Sequence, residues 1–218
     1  PSLVTGLTNP LGGTFCALAF DGDDALTNIA PVAASFSGDV ASFTVTVWLN
    51  AQSGNVLAWG RDTAANSQAQ VTMADSALGF GSSPANYQVG WGALGLPRSN
   101  CWHFIAVTYD QTARPYGQRT ALFVDGQRLT AEEYNPDALV GLLGDGFTLG
   151  GRVNSDGVLS TFLKGWVADL AVYGETLTQD DVLARLNAEK QRYWGDDPIS
   201  YYTAVYERPG VGAWADPA

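Results

Sequence analysis

Alternation of apolar and polar side chains constrains the fold of this chain more than any other feature of its sequence. Between residues 43 and 49 every odd position is apolar, whereas Thr44, Thr46 and Trp48 occupy the even positions. Successive side chains of a strand point to opposite faces, so the pattern predicts a half-buried antiparallel strand. Similar runs recur at residues 15–20, 56–59, 69–73, 87–91, 102–109, 121–124, 147–149 and 162–173. The chain is therefore predicted to be all-β.

Turn-forming residues separate these runs at short intervals. Asp125 and Gly126, the dipeptide preferred in tight hairpins, stand between the runs at residues 121–124 and 127–129. Clusters rich in Gly, Ser, Asn and Asp follow other runs, at residues 21–24, 53–55, 81–84, 144–146 and 154–157. Many short strands joined by such turns predict a two-sheet antiparallel jelly-roll sandwich. The last run is long enough to include a bend or a bulge near Gly165.

One segment near the C-terminus has the signature of a helix instead. Thr178 is followed three residues later by Asp181, which resembles a capping box, and Val182 and Leu186 continue as an apolar stripe. We predict a single C-terminal helix at about residues 179–192. We further divide the chain into a jelly-roll domain, residues 1–193, and a C-terminal extension, residues 194–218, that packs on the domain or on a partner.

Charge and composition exclude several classes of function. The chain carries 11 Lys and Arg against 22 Asp and Glu, a formal net charge of −11. Nucleic acid and anionic membrane surfaces require a basic face, so neither is expected as a partner. The uncharged stretches at residues 40–60 and 76–97 are interrupted by polar residues, so insertion into a membrane is not expected either. One histidine and two cysteines exclude a zinc site built from several such ligands.

Sequence motifs in a fixed order resemble those of laminin-G-like domains, which are concanavalin-A-like jelly rolls of the lectin/glucanase superfamily. The motifs read LAFDGDD from residue 18, FTVTVWL from residue 43, WHFIAVTYD from residue 102, LGGR from residue 149 and FLKGWVADLAVY from residue 162. The resemblance covers roughly residues 14–190 and implies a jelly-roll fold. Members of this family are mostly extracellular and bind glycans or proteins, often through calcium. The resemblance therefore also implies an extracellular or cell-surface location.

Clustered aspartates are the predicted metal ligands. Asp21, Asp23 and Asp24 lie in one tight turn, and the topology implied by the resemblance brings this first strand beside the last one, which carries Asp169. Calcium takes six to eight oxygens from carboxylates and carbonyls of several loops, so the four aspartates form a predicted calcium site. The alternative is a solvated turn whose aspartates accept hydrogen bonds from backbone amides.

A catalytic site is not expected. A retaining glycosidase needs two carboxylates about 5–5.5 Å apart, and none of the glutamates of this chain lies in an obvious strand. His103 follows Trp102 at a packing position of the family motif, so we expect a structural role rather than that of a base in a catalytic triad. The chain is predicted not to be an enzyme.

Aromatic residues at strand ends are the predicted sugar-binding residues. Aromatic faces stack on sugar rings, and Asn, Asp and Arg side chains bond the hydroxyl groups. The predicted ligand-binding residues are Trp59, Arg61, Asp62, Asn86, Tyr87 and Trp91. Trp48, Trp102 and Trp166 lie within strand patterns and are assigned to the core.

The two cysteines lie far apart in the sequence. Cys16 and Cys101 are either two buried thiols or one long-range disulfide, and the residues alone leave both alternatives open. An extracellular location, which the resemblance implies, favours the disulfide. We therefore predict that Cys16 and Cys101 are paired.

Two functional classes remain open. In the first, the chain is a non-catalytic module of a secreted or surface protein that recognises glycans or mediates adhesion. In the second, it is a structural subunit that makes protein contacts in an extracellular assembly. A polar groove floored by aromatic residues would favour the first class, and a large exposed apolar patch would favour the second. We predict the first class.

Overall fold

The computed structural model describes residues 1–8, 14–27, 42–59, 69–74, 77–81, 87–90, 102–110, 112–113, 119–129, 132–133, 147–154 and 156–194. It describes the backbone alone at residues 8, 51–52, 59, 129, 132–133, 147 and 191–194 and in the strands between residues 69 and 90. The strands are β1 (Ser2–Thr8), β2 (Thr14–Asp21), β3 (Leu26–Thr27), β4 (Ser42–Trp59), β5 (Ala69–Ala74), β6 (Ala77–Gly81), β7 (Tyr87–Gly90), β8 (His103–Asp110), β9 (Thr120–Val124), β10 (Gln127–Leu129), β11 (Glu132–Glu133), β12 (Phe147–Leu149), β13 (Arg152–Val153), β14 (Leu159–Ser160) and β15 (Lys164–Tyr173). One helix, α1 (Gln179–Trp194), follows them.

The strands form two antiparallel sheets, which confirms the predicted all-β jelly-roll sandwich. Sheet A has the order β1-β2-β15-β4-β8-β9-β10, and sheet B has the order β3-β12-β4-β5-β6-β7-β11. A separate hairpin pairs β13 with β14. Glu132 and Glu133 form β11, although none of the glutamates was expected in an obvious strand. A strand of two residues is too short to show alternation.

A single strand, β4, belongs to both sheets. Its first part, residues 42–49, pairs with β8, and its last part, residues 54–59, pairs with β5. Gly54 joins the two parts with φ of 99°, and a Cβ placed there would lie 2.1 Å from the carbonyl oxygen of Phe162. Only glycine adopts this backbone at so close an approach without strain, so it permits the strand to pass from one sheet to the other.

Within sheet A, residues 43–49 of β4 are buried on both faces, which corrects the prediction of a half-buried strand there. Thr44, Thr46 and Trp48 are fully buried, like the odd positions beside them. Helix α1 covers this outer face, where Val182 and Leu186 join one apolar cluster with Trp48 and neighbouring side chains of β2, β8, β9 and β15. Alternation identifies the two faces of a strand, but it does not show that a distant helix will cover the second face.

The start of α1 agrees with the predicted capping box. The backbone amide of Asp181 donates to Oγ1 of Thr178 at 3.2 Å, and the amide of Thr178 donates to Oδ2 of Asp181 at 3.0 Å. Farther along the helix, the indole Nε1 of Trp48 donates to Oε2 of the buried Glu189 at 2.8 Å, and Arg185 pairs with the same carboxylate. The helix extends to Trp194, two residues beyond its predicted end, while residues 195–218 lie outside the described part of the chain.

Strand β15 contains the irregularity expected near Gly165. Its register with β4 shifts between Lys164 and Gly165, and it shifts again between Ala168 and Ala171. At the second shift two residues of β15 face one of β4, which is a β-bulge, and Asp169 there has φ of 46°. Among the residues that the structure describes, no helix is long and apolar enough to cross a lipid bilayer.

Candidate functional site

Three aspartates crowd the turn after β2, and we call residues 21–24 the acidic turn. Asp21 ends β2, and Gly22 then adopts φ of 106°, so that Asp23 and Asp24 fold back towards the strand end. One carboxylate oxygen from each aspartate lies within 4.8 Å of the other two. The chain therefore concentrates negative charge at one end of sheet A.

The carboxylates of the acidic turn influence each other's protonation. A hydrogen bond between the side chains of Asp21 and Asp23 lowers the pKa of Asp21 and raises the pKa of Asp23. The negative charge of Asp21 raises the pKa of Asp23 further. The two carboxylates therefore share a proton more readily than isolated ones would. A cation between them would relieve the same repulsion.

The oxygens of the acidic turn suit a hard cation. Oδ2 of Asp24 pairs with the ammonium of Pro1, while its Oδ1 is buried and accepts no hydrogen bond from the described residues. An oxygen of that kind is available as a ligand, and carboxylates are the groups that Ca²⁺ prefers. The residues at these three positions thus fit the predicted calcium ion.

The fourth predicted ligand, Asp169, is not brought to the acidic turn. Strand β15 lies beside β2, as the resemblance implied, but Lys164 is the residue opposite Asp21. Asp169 stands five residues farther along β15, roughly 16 Å away at about 3.3 Å per residue. Strand neighbours follow from the topology, whereas the residue that faces Asp21 depends on a register that the motifs do not specify.

Beside the acidic turn the outer face of sheet A opens into a groove of about 520 Å³, which we call the β2–β15 groove. Lys164 lies opposite Asp21 and Trp166 lies opposite Ala19, so the four residues form two cross-strand pairs on one face. The full lining comprises Pro1, Ser2, Ala19, Phe20, Asp21, Asp24, Lys164, Gly165 and Trp166. Carboxylates, an ammonium group and an indole ring therefore surround one space.

Trp166 was assigned to the core from the sequence, and that assignment is only half right. Its side chain packs against the apolar cluster under α1, yet it is partly exposed and lines the β2–β15 groove. The helix covers Trp48 but does not fully cover Trp166. The small Ala19 across the strand pair leaves room beside the indole ring. The strand pattern around the two tryptophans is alike, so the sequence held no signal that separated them.

The sugar-binding residues predicted from the sequence concern sheet B. Trp59 ends β4 and Tyr87 begins β7. Across the sheet, Leu57 pairs with Val71, Val71 with Phe80 and Phe80 with Tyr87. Tyr87 is therefore level with Leu57, which precedes Trp59 by two residues on β4. The two backbones are three strand spacings apart, about 14 Å at roughly 4.8 Å per strand. Four other predicted binding residues lie outside the described residues: Arg61, Asp62, Asn86 and Trp91.

Comparison with known protein families identifies the superfamily of the chain. The model of the concanavalin A-like lectin/glucanases superfamily matches residues 21–183. The chain belongs to this superfamily. The match confirms the resemblance drawn from the motifs, and it extends from the acidic turn into α1. A search of curated protein sequences found no match.

Several solved structures resemble the chain in fold at low sequence identity. The CBM40 of the Ruminococcus gnavus IT-sialidase, bound to α2,3-sialyllactose, has a TM-score of 0.58 at 14% identity and covers 78% of this chain and 96% of its own. The Streptococcus pneumoniae NanB sialidase has a TM-score of 0.58 at 15% identity, and the match covers 77% of this chain but only 27% of NanB. The binding domain of botulinum neurotoxin DC, solved with rat synaptotagmin II, has a TM-score of 0.52 at 12% identity, with 86% and 46% covered. These likenesses show the fold alone.

One of the two cysteines of this superfamily member can be described. Cys16 is exposed in β2, between the buried Phe15 and Ala17. The alternative of two buried thiols is therefore wrong for Cys16. Cys101 lies outside the described residues, so the pairing of the two cysteines stays a prediction.

The only histidine of the chain is buried beside an acid that the sequence did not reveal. Nδ1 of His103 lies 2.8 Å from Oδ2 of Asp125, and the other oxygen of Asp125 accepts the backbone amide of Phe104 at 2.9 Å. Asp125 belongs to the predicted hairpin turn between β9 and β10, and its side chain is fully buried. Sequence reasoning found the turn, but not that its aspartate reaches β8. The pair joins β8 to the turn between β9 and β10, away from solvent.

Proposed function

We propose that the chain is a non-catalytic glycan-binding module of a secreted or cell-surface protein, serving glycan recognition or adhesion. One observation carries the proposal: in the β2–β15 groove the partly exposed Trp166 lies beside Asp21, Asp24 and Lys164. An indole ring stacks on a sugar ring, while carboxylates accept and ammonium groups donate hydrogen bonds to hydroxyls. The fold shared with a CBM40 that binds sialyllactose supports the same class of ligand.

The burial of His103 supports the non-catalytic part of the proposal. A general base must reach the proton that it removes, at about 2.6–3.2 Å or through one water. The side chains of His103 and Asp125 are only 6% and 0% exposed. A substrate cannot approach either group without opening the strand pair, so their pairing serves the fold.

A glycan array, with and without calcium, tests the proposal as a whole. We expect the wild-type chain to bind at least one glycan and to release no reducing sugar from it. Calorimetric titration with that glycan then locates the site. Trp166→Ala is expected to weaken binding if the β2–β15 groove is used, and Trp59→Ala or Trp91→Ala if the predicted sheet B residues are used. Turnover that disappears in His103→Gln would overturn the non-catalytic assignment.

We further propose that Ca²⁺ binds the acidic turn through Asp21, Asp23 and Asp24, without Asp169. The mutual approach of the three carboxylates and the buried, unbonded Oδ1 of Asp24 support this. An ion that binds the folded state and not the unfolded one stabilises it, increasingly as its concentration exceeds Kd, so calcium should raise the melting temperature. Asp23→Asn should remove this increase, whereas Asp169→Asn, the matched control, should keep it. Equal responses of the two variants would contradict the site.

A second candidate function is a structural subunit in an extracellular assembly. Leu3 is 67% exposed on β1, which pairs only with β2 among the described strands. An apolar side chain on an unpaired strand edge favours contact with another protein. Size-exclusion chromatography with light scattering tests this class: Leu3→Lys should dissolve any assembly that the wild type forms. A monomeric wild type would dismiss self-assembly through this edge.

A further inference from the structure

We infer that the β2–β15 groove selects neutral, hydroxyl-rich glycans and rejects sialylated ones. This inference rests on the proposed glycan-binding function and specifies its ligand. It runs against the ligand of the CBM40 neighbour, which is a sialylated sugar. Three features of the groove support the inference: its charge, the type of its cationic side chain and the shape around its indole ring.

While no cation is bound to the acidic turn, the charge of the groove opposes an anionic ligand. Asp21 and Asp24 line it, and Asp23 lies within the same cluster of carboxylate oxygens. Among the described residues that line the groove, the cations are the ammonium groups of Lys164 and Pro1, and the latter is already paired with Asp24. Carboxylates therefore outnumber cations here. A sialic acid carboxylate would add a further negative charge within a few ångströms, where like charges repel most strongly.

The available cation is poorly suited to hold a carboxylate. Arginine binds carboxylates through two parallel hydrogen bonds, and no arginine is among the described residues that line the groove. Lys164 supplies a single charged point, and it stands directly opposite Asp21 in the strand pair. Part of its field is thus cancelled where a ligand would lie. For a neutral sugar the same arrangement is favourable, since hydroxyls both donate to Asp21 and accept from Lys164.

The shape of the groove suits the flat apolar face of a neutral sugar ring. Trp166 supplies the indole ring, and the residue opposite it is Ala19, whose methyl side chain takes up little of the groove. The groove volume of about 520 Å³ falls within the usual range for ligand sites. Stacking needs no charge on the ligand. The groove can therefore bind a sugar through its ring and hydroxyls without any acidic group.

Matched glycans test the inference. The whole chain is applied to an array that carries each oligosaccharide with and without a terminal sialic acid, in EDTA and at low ionic strength. We expect the neutral member of a bound pair to exceed its sialylated partner by roughly ten-fold, since one extra like charge at this range is significant. Asp24→Asn should reduce that preference by about three-fold or more, because it removes one of the repelling charges.

A tryptophan pair provides the control for folding. Trp166→Ala should weaken binding of the neutral glycan by about ten-fold or more, the scale of a lost aromatic contact. Trp102→Ala removes a tryptophan that packs against the same apolar cluster but does not line the groove, so it should leave binding within about two-fold. Equal losses in the two variants, or a preference for the sialylated glycans, would overturn the inference and leave the proposed function standing. A wild-type chain that binds no glycan would overturn both.

Discussion

The outer face of sheet A has two halves that share strands and differ in what covers them. Under α1, Trp48 is fully buried and its indole donates to Glu189. Beyond the helix, on the neighbouring strand, Trp166 is partly exposed and borders the β2–β15 groove. The same side chain on the same face thus belongs to the core in one half and to a ligand-sized space in the other. The helix, rather than the strand sequence, decides the difference.

The largest expected contrast between the halves concerns the two tryptophans. Trp48→Ala should lower the free energy of unfolding by about 3–5 kcal/mol, because it leaves a cavity and removes the indole donor from the buried Glu189 carboxylate. Trp166→Ala should cost only about 1–2 kcal/mol, since part of its surface is already in water. Urea denaturation followed by circular dichroism measures both. Similar losses would mean that the two halves are covered to the same extent.

A pair of glycines sharpens the contrast at the backbone. Gly126, with φ of 81°, lies under α1, and a Cβ there would stand 2.5 Å from Cδ2 of Leu183. Gly22, with φ of 106°, lies in the acidic turn, where the nearest atom to an added Cβ is 3.9 Å away. Both alanine variants should lose about 1–2 kcal/mol from the left-handed backbone. Gly126→Ala should lose about 1 kcal/mol more from its contact with the helix.

Thermal denaturation of the two glycine variants provides the measurement. The melting temperature of Gly126→Ala should be the lower of the two. The reverse order would show that α1 adjusts freely over the hairpin turn.

Asp181, in the first turn of the helix that covers one half, predicts a loss of stability in acid. Hydrogen bonds from Thr178 lower the pKa of Asp181 below 3.8, so its ionised form stabilises the folded state. This contribution is complete above the unfolded value of 3.8 and is lost as the pH falls through the lowered value. Asp181→Asn should therefore be less stable than wild type at pH 7, and the difference should shrink as the pH falls below 3.8. Denaturation curves at several pH values test this, and a constant difference would exclude the electrostatic origin.

Asp23, beside the open β2–β15 groove, predicts a pH dependence of stability opposite in sign to that of Asp181, and the smallest change in stability on substitution. Its pKa is raised by the hydrogen bond with Asp21 and by the charge of that neighbour, so the folded state favours the protonated form. That preference stabilises the fold below 3.8 and is lost as the pH rises through the raised value. In EDTA, Asp23→Asn should equal or slightly exceed the wild type in melting temperature at pH 7. A clear decrease would show that the ionised carboxylate supports the acidic turn.

Local features of the fold could be predicted from the sequence, and features set by distant contacts could not. The capping box of Thr178 and Asp181 lies within four residues, and the hairpin turn at Asp125 is equally local. The exposure of Trp166 depends on how far α1 extends over sheet A, and α1 begins more than ten residues after Trp166 in the sequence. The distance of Asp169 from the acidic turn depends on the pairing of Lys164 with Asp21. Motif order predicts which strands are neighbours, but register and cover depend on packing that involves the whole chain.

Strand β4 also determines how the protein resists opening. Its two parts build the middle of both sheets and meet at Gly54, so neither sheet can be complete while the other is unfolded. We therefore expect fluctuations that expose the central amides of sheet B to disrupt sheet A as well, so that the two layers exchange hydrogen as one cooperative unit. A ligand held on sheet A should then slow exchange in sheet B without touching it.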